Sequence, residues 1–326
     1  MAEALELEQV NCRRGAFALG PIDLALQPGE HLAVLGPSGS GKSTLLDAIA
    51  GLTPISGRLR IGGTRADNLP PHRRGVALML QNLGLWDRLG ALENVRLAAR
   101  DPAAAGAYLD RVSFAVRRDA PVAGLSGGER QRAAIARTLA AQGALTMLDE
   151  PGSFLDRASA LELADVIRSE LRARRGALIV AGHRLDELLR YEPGRLVVMR
   201  AGRIVQCDKP EVIIGAPRDR YVGSLLGYEV FLPAVGAGGR LQSELAATEG
   251  KPGSPARMLH AWKFGGVHLQ SQGIGAVVTD LLWTESGLAA RVRTAGNAML
   301  LVPATAGLEA GAAVKLGCAL PMTVEE

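Results

Sequence analysis

Apolar and polar positions alternate through LELEQV near the start of the chain. That two-residue period predicts a half-buried strand, expected here at a sheet edge. Residues 31–36, HLAVLG, are instead continuously apolar, and they run through glycines into KSTLLDAIAGL, whose apolar spacing is helical. GRLRIGG, flanked by glycines, reads as one arm of a hairpin, and GVALMLQ, ALTMLDE and ALIVAGH as further buried strands, the last two ending on polar residues. Residues 90–124 and 158–175 carry helical patterns. Apolar strands alternating with helices predict an α/β fold, a mostly parallel sheet with helices on both faces.

The texture changes near Gly227. A Gly-, Ala- and Ser-rich polar stretch, about 236–258, reads as a loose connection, and from Gly273 onward come the short β-like runs AVVTDLLW, LAARVRT, AMLLVP and AAVKLG. Short strands separated by turn residues predict a small all-β barrel. With 326 residues the chain fits two domains. The expected division is 1–228 and 229–326, with a helical subdomain at about 82–124 inside the first.

Composition narrows the classes. The formal charge is +4, and all basic residues except Lys42, Lys209, Lys251, Lys263 and Lys315 are arginines. They are scattered, whereas a nucleic-acid binder concentrates them on one face, so no nucleic-acid partner is expected. Cys12, Cys207 and Cys318 lie far apart without a C-x-x-C, which points to reduced thiols. The N-terminus carries acids and lacks a signal-peptide core, and no apolar run approaches the ~20 residues of a membrane span. A soluble protein is expected, one that meets a membrane only through a partner.

The chemistry starts at GPSGSGKST: Gly36, Pro37, Ser38, Gly39, Ser40, Gly41, Lys42, Ser43 and Thr44. It fits G-x-x-x-x-G-K-[ST] after a strand and before a helix, the phosphate loop or Walker A motif. Glycines let backbone N–H groups wrap phosphates, Lys42 reaches the β and γ oxygens, and Ser43 offers a hydroxyl to Mg²⁺. ALTMLDE delivers Asp149 and Glu150 at the carboxyl end of a strand, where α/β folds bind ligands. Asp149 is placed to hold Mg²⁺ through water, and Glu150 to act as general base on an attacking water. LSGGERQRAAIARTLA opens a second helix on Ser126, Gly127 and Gly128, a second start suited to phosphate.

A phosphate loop, Gln81 after a strand, LSGGERQR and LDEP, in that order, resemble the ATP-binding-cassette (ABC) ATPases. The resemblance implies ATP and Mg²⁺ as cofactors and a head-to-tail pair of cassettes, two copies of this chain or this chain with another cassette. Ser126, Gly127 and Gly128 would then clasp the γ-phosphate held by the other copy. It also implies that Gln81 senses Mg²⁺ and the attacking water. His183 would contact the γ-phosphate, and SFLD, 153–156, would cross between the two sites. The metal set so implied is Ser43, Gln81 and Asp149, and the catalytic set Glu150, His183 and Gln81. Where the family stacks an aromatic on adenine, the sequence places Arg13 or Arg14, and Phe17 reads as a strand residue. Arginine can also stack on a purine. Trp86, in LGLWDRLGALENV, lies where a permease is received or else simply packs in the fold.

The C-terminal β pattern resembles the OB-like TOBE domain of importer cassettes, with AWKFGGVHL, 261–269, departing from the family's usual segment. This implies a bracing or regulatory role, with oxyanion binding as the alternative. The expectation is the ATPase subunit of an importer of a small solute or inorganic ion, peripheral on the cytoplasmic face of the inner membrane. It would work with a second copy of itself, permease subunits and an external solute-binding protein. The alternatives are a soluble ABC ATPase acting on nucleic acid or ribosomes, and an exporter cassette. A nucleotide kinase does not explain LSGGERQR. Replacing Lys42→Ala is expected to lose nucleotide binding itself, since it removes a charge-assisted contact to phosphate; isothermal titration checks it.

Overall fold

The computed structural model describes residues 2–115 and 117–227, and beyond Gly227 the strands named below. The chain divides into two units, Met1–Pro210 and Glu211–Glu326.

The first unit runs β1 (Leu5–Arg14), β2 (Phe17–Leu26), β3 (His31–Leu35), α1 (Lys42–Ala50), β4 (Ser56–Ile61), β5 (Thr64–Arg65) and β6 (Val76–Met79). It continues with α2 (Ala91–Ala98), α3 (Ala105–Arg111), α4 (Gly127–Ala140), β7 (Leu145–Asp149), α5 (Arg157–Arg174), β8 (Ala177–Gly182), α6 (Leu185–Leu188), β9 (Arg195–Arg200) and β10 (Arg203–Asp208). Two sheets form: an antiparallel one in the order β2-β1-β4-β5, and a second in the order β10-β9-β3-β8-β7-β6. In the second, β9, β3, β8, β7 and β6 pair in parallel and β10 joins β9 antiparallel. Every residue of β3, β7 and β8 is buried, which explains why these strands are continuously apolar.

β1 is not an edge strand. It sits between β2 and β4, Leu5 facing Leu26 on one side and Ile61 on the other. The alternation of LELEQV reports one buried face, not an unpaired edge. Residues 90–124 are helical only in part. Between α2 and α4 lie α3 and single 3₁₀ turns at Pro102–Ala104 and Val122–Gly124.

α1 lies between the two sheets. Leu45, Leu46 and Ile49 share one core with Leu5, Leu19 and Leu59 of the antiparallel sheet and with Leu32, Met147 and Ile179 of the parallel one. The helix ends on Gly51, whose φ of 83° puts it in the left-handed region. Arg74, itself buried, closes that end. Its guanidinium donates to the carbonyls of Ala48 (2.9 Å), Ile49 (3.1 Å), Leu69 (2.9 Å) and Asp67 (3.1 Å).

The second unit begins within α7 (Pro210–Gly215) and continues through α8 (Arg220–Leu225). It then runs β11 (Tyr228–Ala237), β12 (Arg240–Gln242), β13 (Ala247–Glu249), β14 (Met258–Lys263), β15 (Val267–Gln270), β16 (Ile274–Thr284), β17 (Gly287–Thr294), β18 (Met299–Pro303), β19 (Ala313–Cys318) and β20 (Met322–Glu325). One five-stranded sheet has the order β13-β12-β11-β14-β20, the other β15-β19-β16-β17-β18. The four expected β runs are β16 to β19. The division at Pro210 precedes the expected 228 because α8 packs on β11 and β20 and so belongs with the strands that follow it. The stretch 236–258 holds β12 and β13; the rest of it, 238–239, 243–246 and 250–257, lies outside the described residues. So do the connections 264–266, 285–286, 295–298 and 304–312, and with them the TOBE-like barrel closure and the middle of 261–269. Among the described residues no helix is long and apolar enough to cross a membrane.

Arg74→Met is expected to destabilise the first unit by about 2–3 kcal/mol, because buried carbonyls at the end of α1 lose their donor. Urea denaturation followed by circular dichroism measures it.

Candidate active site

The five parallel strands place their carboxyl ends together, and the loop from β3 to α1 crosses there. Gly36 N–H donates to Gly182 O (3.2 Å) at the end of β8, and Ser40 O accepts from Gly202 N–H (2.8 Å) beyond β9. The loop is thus tied to its neighbours on both sides. Gly41, with φ 108°, starts α1. A Cβ on Gly41 would lie 3.0 Å from the Phe17 ring, so glycine is required both for the backbone angle and for the aromatic beside it.

A cavity of about 370 Å³ opens here. Ser38, Gly39, Gly41, Lys42, Ser43 and Thr44 line one side, and Phe17, Gln81 and Glu150 the other. Gly36, Pro37 and Ser40 form the turn behind the lining, and Ser40 is buried. Lys42 Nζ donates to Gly36 O (2.8 Å) and Pro37 O (3.2 Å), which folds the side chain back over the loop. Burial pushes the Lys42 ammonium below its ordinary pKa, opposed by Glu150 and Asp149. A hollow of about 350 Å³ at the other end of the strands, by Arg100 and Arg174, has no phosphate loop.

Glu150 follows β7 with a left-handed φ of 50°, a conformation uncommon for a side chain of this kind. Two side chains hold its carboxylate. Gln81 Nε2 donates to Oε2 (3.3 Å), and His183 Nδ1 lies 3.2 Å from Oε1. Gln81, Glu150 and His183, far apart in sequence, are therefore brought together. The Glu150 side chain is 15% exposed and that of His183 50%.

Asp149 is buried beside them. Burial pushes its carboxyl pKa up, and a hydrogen bond from Ser43 draws it down. Its Oδ1 has no protein partner. An orphaned carboxylate oxygen beside a hydroxyl fits Mg²⁺, which takes one or two protein oxygens and completes its shell with phosphate and water. Among the described residues no group of three or more His, Cys, Asp or Glu is placed to hold a metal on its own.

Ser126, Gly127 and Gly128 do not line this cavity. Ser126 is the N-cap of α4, and Glu129 completes a capping box with it. Those hydrogen bonds, from the Ser126 hydroxyl first and its backbone N–H second, hold the Glu129 carboxyl below its ordinary pKa. The loop 153–156 is fixed to α4: Gln131, buried, donates to Pro151 O and accepts from Phe154 N–H (3.3 Å). Asp156 then caps α5 through the N–H groups of Ala158 and Ser159. Arg137 of α4 donates to Leu83 O (2.6 Å) and Gly84 O (2.5 Å), and its guanidinium lies over the half-exposed Trp86 ring.

Neither Arg13 nor Arg14 lines the cavity, and Arg14 reaches away to Asp47 of α1 (3.3 Å). Phe17, assigned from sequence to the strand alone, is both the first residue of β2 and the aromatic of the cavity wall.

The sequence pattern described as ABC transporter matches residues 19–153. The Fe(3+) ions import ATP-binding protein FbpC of Streptomyces avermitilis is 38% identical over 269 residues, covering 78% of this chain and 77% of the relative. The chain belongs to the ABC transporter family, as one of its ATP-binding proteins. The cassette is also 37% identical over 243 residues to the sulfate/thiosulfate import ATP-binding protein CysA 2 of Chromobacterium violaceum, covering 70% of the chain and 65% of that relative. Against the maltose/maltodextrin import ATP-binding protein MalK of Salmonella typhimurium it is 36% identical over 219 residues, 63% of the chain and 58% of MalK. Its fold is shared with the ATP-binding cassette MJ0796 in a dimeric post-hydrolysis structure bound to ADP and Pi, with a TM-score of 0.58 and 24% identity over 63% of this chain and 98% of that one.

Phe17→Ala is expected to weaken ATP binding by about tenfold, the scale of base–aromatic stacking at roughly 1–3 kcal/mol. Arg14→Ala breaks only an exposed ion pair and is expected to change the Kd less than about threefold. Fluorescent-nucleotide titration of both variants separates the two.

Proposed function

We propose that the cassette is the ATP-hydrolysing subunit of an ABC importer, in which two copies bind ATP between them and drive uptake through partner permease subunits. The observation that carries this is the Glu150 carboxylate, held by Gln81 and His183 beside the phosphate loop. In this reading Lys42 and the loop N–H groups hold the triphosphate. Ser43 and Asp149 would hold Mg²⁺, with Gln81 beside them, and the bound metal would supply neutralisation of phosphate charge.

Glu150 then accepts a proton from water as its oxygen attacks the γ-phosphorus and the bond to ADP breaks. The product side is ADP and inorganic phosphate. Gln81 and His183 keep the carboxylate aimed, and His183 faces the γ-phosphate. Phe17 stacks on the base. Ser126, Gly127 and Gly128, outside the cavity of their own chain, contact the γ-phosphate bound by the other copy. ATP favours the closed pair by the difference in its affinity for closed and open forms, and hydrolysis removes that difference.

The relatives' names support the direction of transport: three import proteins, for Fe(3+) ions, sulfate or thiosulfate, and maltose or maltodextrin. The cargo class we favour is a small solute or inorganic ion, delivered by an external binding protein, with the cassette peripheral on the cytoplasmic face of the membrane. Unit two braces the pair or regulates it.

Glu150→Gln is expected to retain MgATP binding while hydrolysis falls by about 10²–10⁴, the usual span for loss of a general base. Tagged Glu150→Gln purified with MgATP from gently solubilised membranes is expected to bring down a multi-span permease in stoichiometric amount. Normal turnover removes Glu150 from the role of base, and ribosomes or DNA in place of a permease remove the importer.

A further inference from the structure

The serine of LSGGERQR is already engaged within its own chain. Ser126 Oγ donates to Glu129 Oε2 at 2.8 Å, and the Ser126 backbone N–H donates to the same oxygen at 2.7 Å. In return the Glu129 N–H donates to Ser126 Oγ at 3.4 Å. A hydroxyl has one proton to give. To donate it to a phosphate, Ser126 must release a carboxylate, the strongest kind of acceptor a side chain offers.

We propose that Glu129 is a positioning residue that restrains Ser126 and thereby raises the ATP concentration at which two copies of this chain close. The inference rests on the head-to-tail pairing proposed above. An anion bonded to Ser126 Oγ stands roughly 5 Å from Glu129 Oε2, two hydrogen-bond lengths on. At that distance the two negative charges repel. Both also compete for the positive end of α4, which favours one anion and is already occupied by the carboxylate.

The cations nearest in sequence do not relieve the charge. Arg130 pairs with Asp87 (3.0 Å), and Arg132 pairs with Glu162 (3.3 Å) and the Val112 carbonyl. Among the described residues no basic side chain forms an ion pair with Glu129. Closure must therefore turn the Ser126 hydroxyl away from Glu129 or bring the phosphate up against an uncompensated carboxylate. The arrangement keeps α4 capped while the copies are apart and opposes nucleotide at the moment they meet.

The test uses the full chain carrying Glu150→Gln, with and without Glu129→Gln, titrated with MgATP and followed by sedimentation velocity. Glutamine keeps an oxygen for the Ser126 N–H, so the capping box and the thermal midpoint are retained while the charge goes. The expected result is an ATP midpoint for dimerisation about tenfold lower in Glu129→Gln, a difference that shrinks in 0.5 M NaCl as the repulsion is screened. Dimers that form at the same midpoint with and without Glu129→Gln overturn this proposal and leave the paired cassette standing. Two chains that stay monomeric at every ATP concentration overturn the pairing, and the proposal with it.

Discussion

The first unit is organised by the burial of α1 on two sides. A nine-residue helix that gives Leu45, Leu46 and Ile49 to a core shared by two sheets has little freedom to rotate or slide. Its N-terminus is therefore fixed at the carboxyl ends of β3, β7 and β8. That is where Asp149, at the end of β7, and Glu150, just after it, emerge. Arg74 holds the other end by hydrogen bonds to the carbonyls of Ala48 and Ile49 in its last turn. The candidate site is a consequence: a phosphate loop at one end of a clamped helix, and carboxylates at the ends of strands that pack on it.

Most of this was legible in residue order. Continuous apolar runs are strands buried on both faces, and β3, β7 and β8 are buried throughout. The phosphate loop is recognisable because its chemistry demands fixed spacings of glycine, lysine and serine. Gln81, Glu150 and His183 each follow a strand, β6, β7 and β8, and those strands are neighbours in the sheet. Three residues distant in sequence meet because their strands pair, and a strand-end position was the clue in each case.

What was not legible depends on partners. Alternation in β1 specifies a buried face and says nothing about how many neighbours the strand has, so an interior strand looked like an edge. Phe17 reads as an ordinary strand start because its ring reaches the loop through a tertiary contact with Gly41. The pairing of Arg14 with Asp47, 33 residues on, is likewise a tertiary contact that local pattern does not carry. Helix ends in 82–124 are set by packing among α2, α3 and α4, and local pattern overestimates how far they extend.

The guanidinium of Arg137 joins two parts of the molecule that sequence treats as separate. It is buried on α4 and holds the carbonyls of Leu83 and Gly84, just past Gln81. Burial lowers its pKa below the ordinary value for arginine, and no carboxylate is bonded to it among the described residues. Two bonds from one planar group leave little play between the strands' exit and the helix. The half-exposed Trp86 ring lies under the same guanidinium, so the ring, α4 and the segment that follows Gln81 share one anchor.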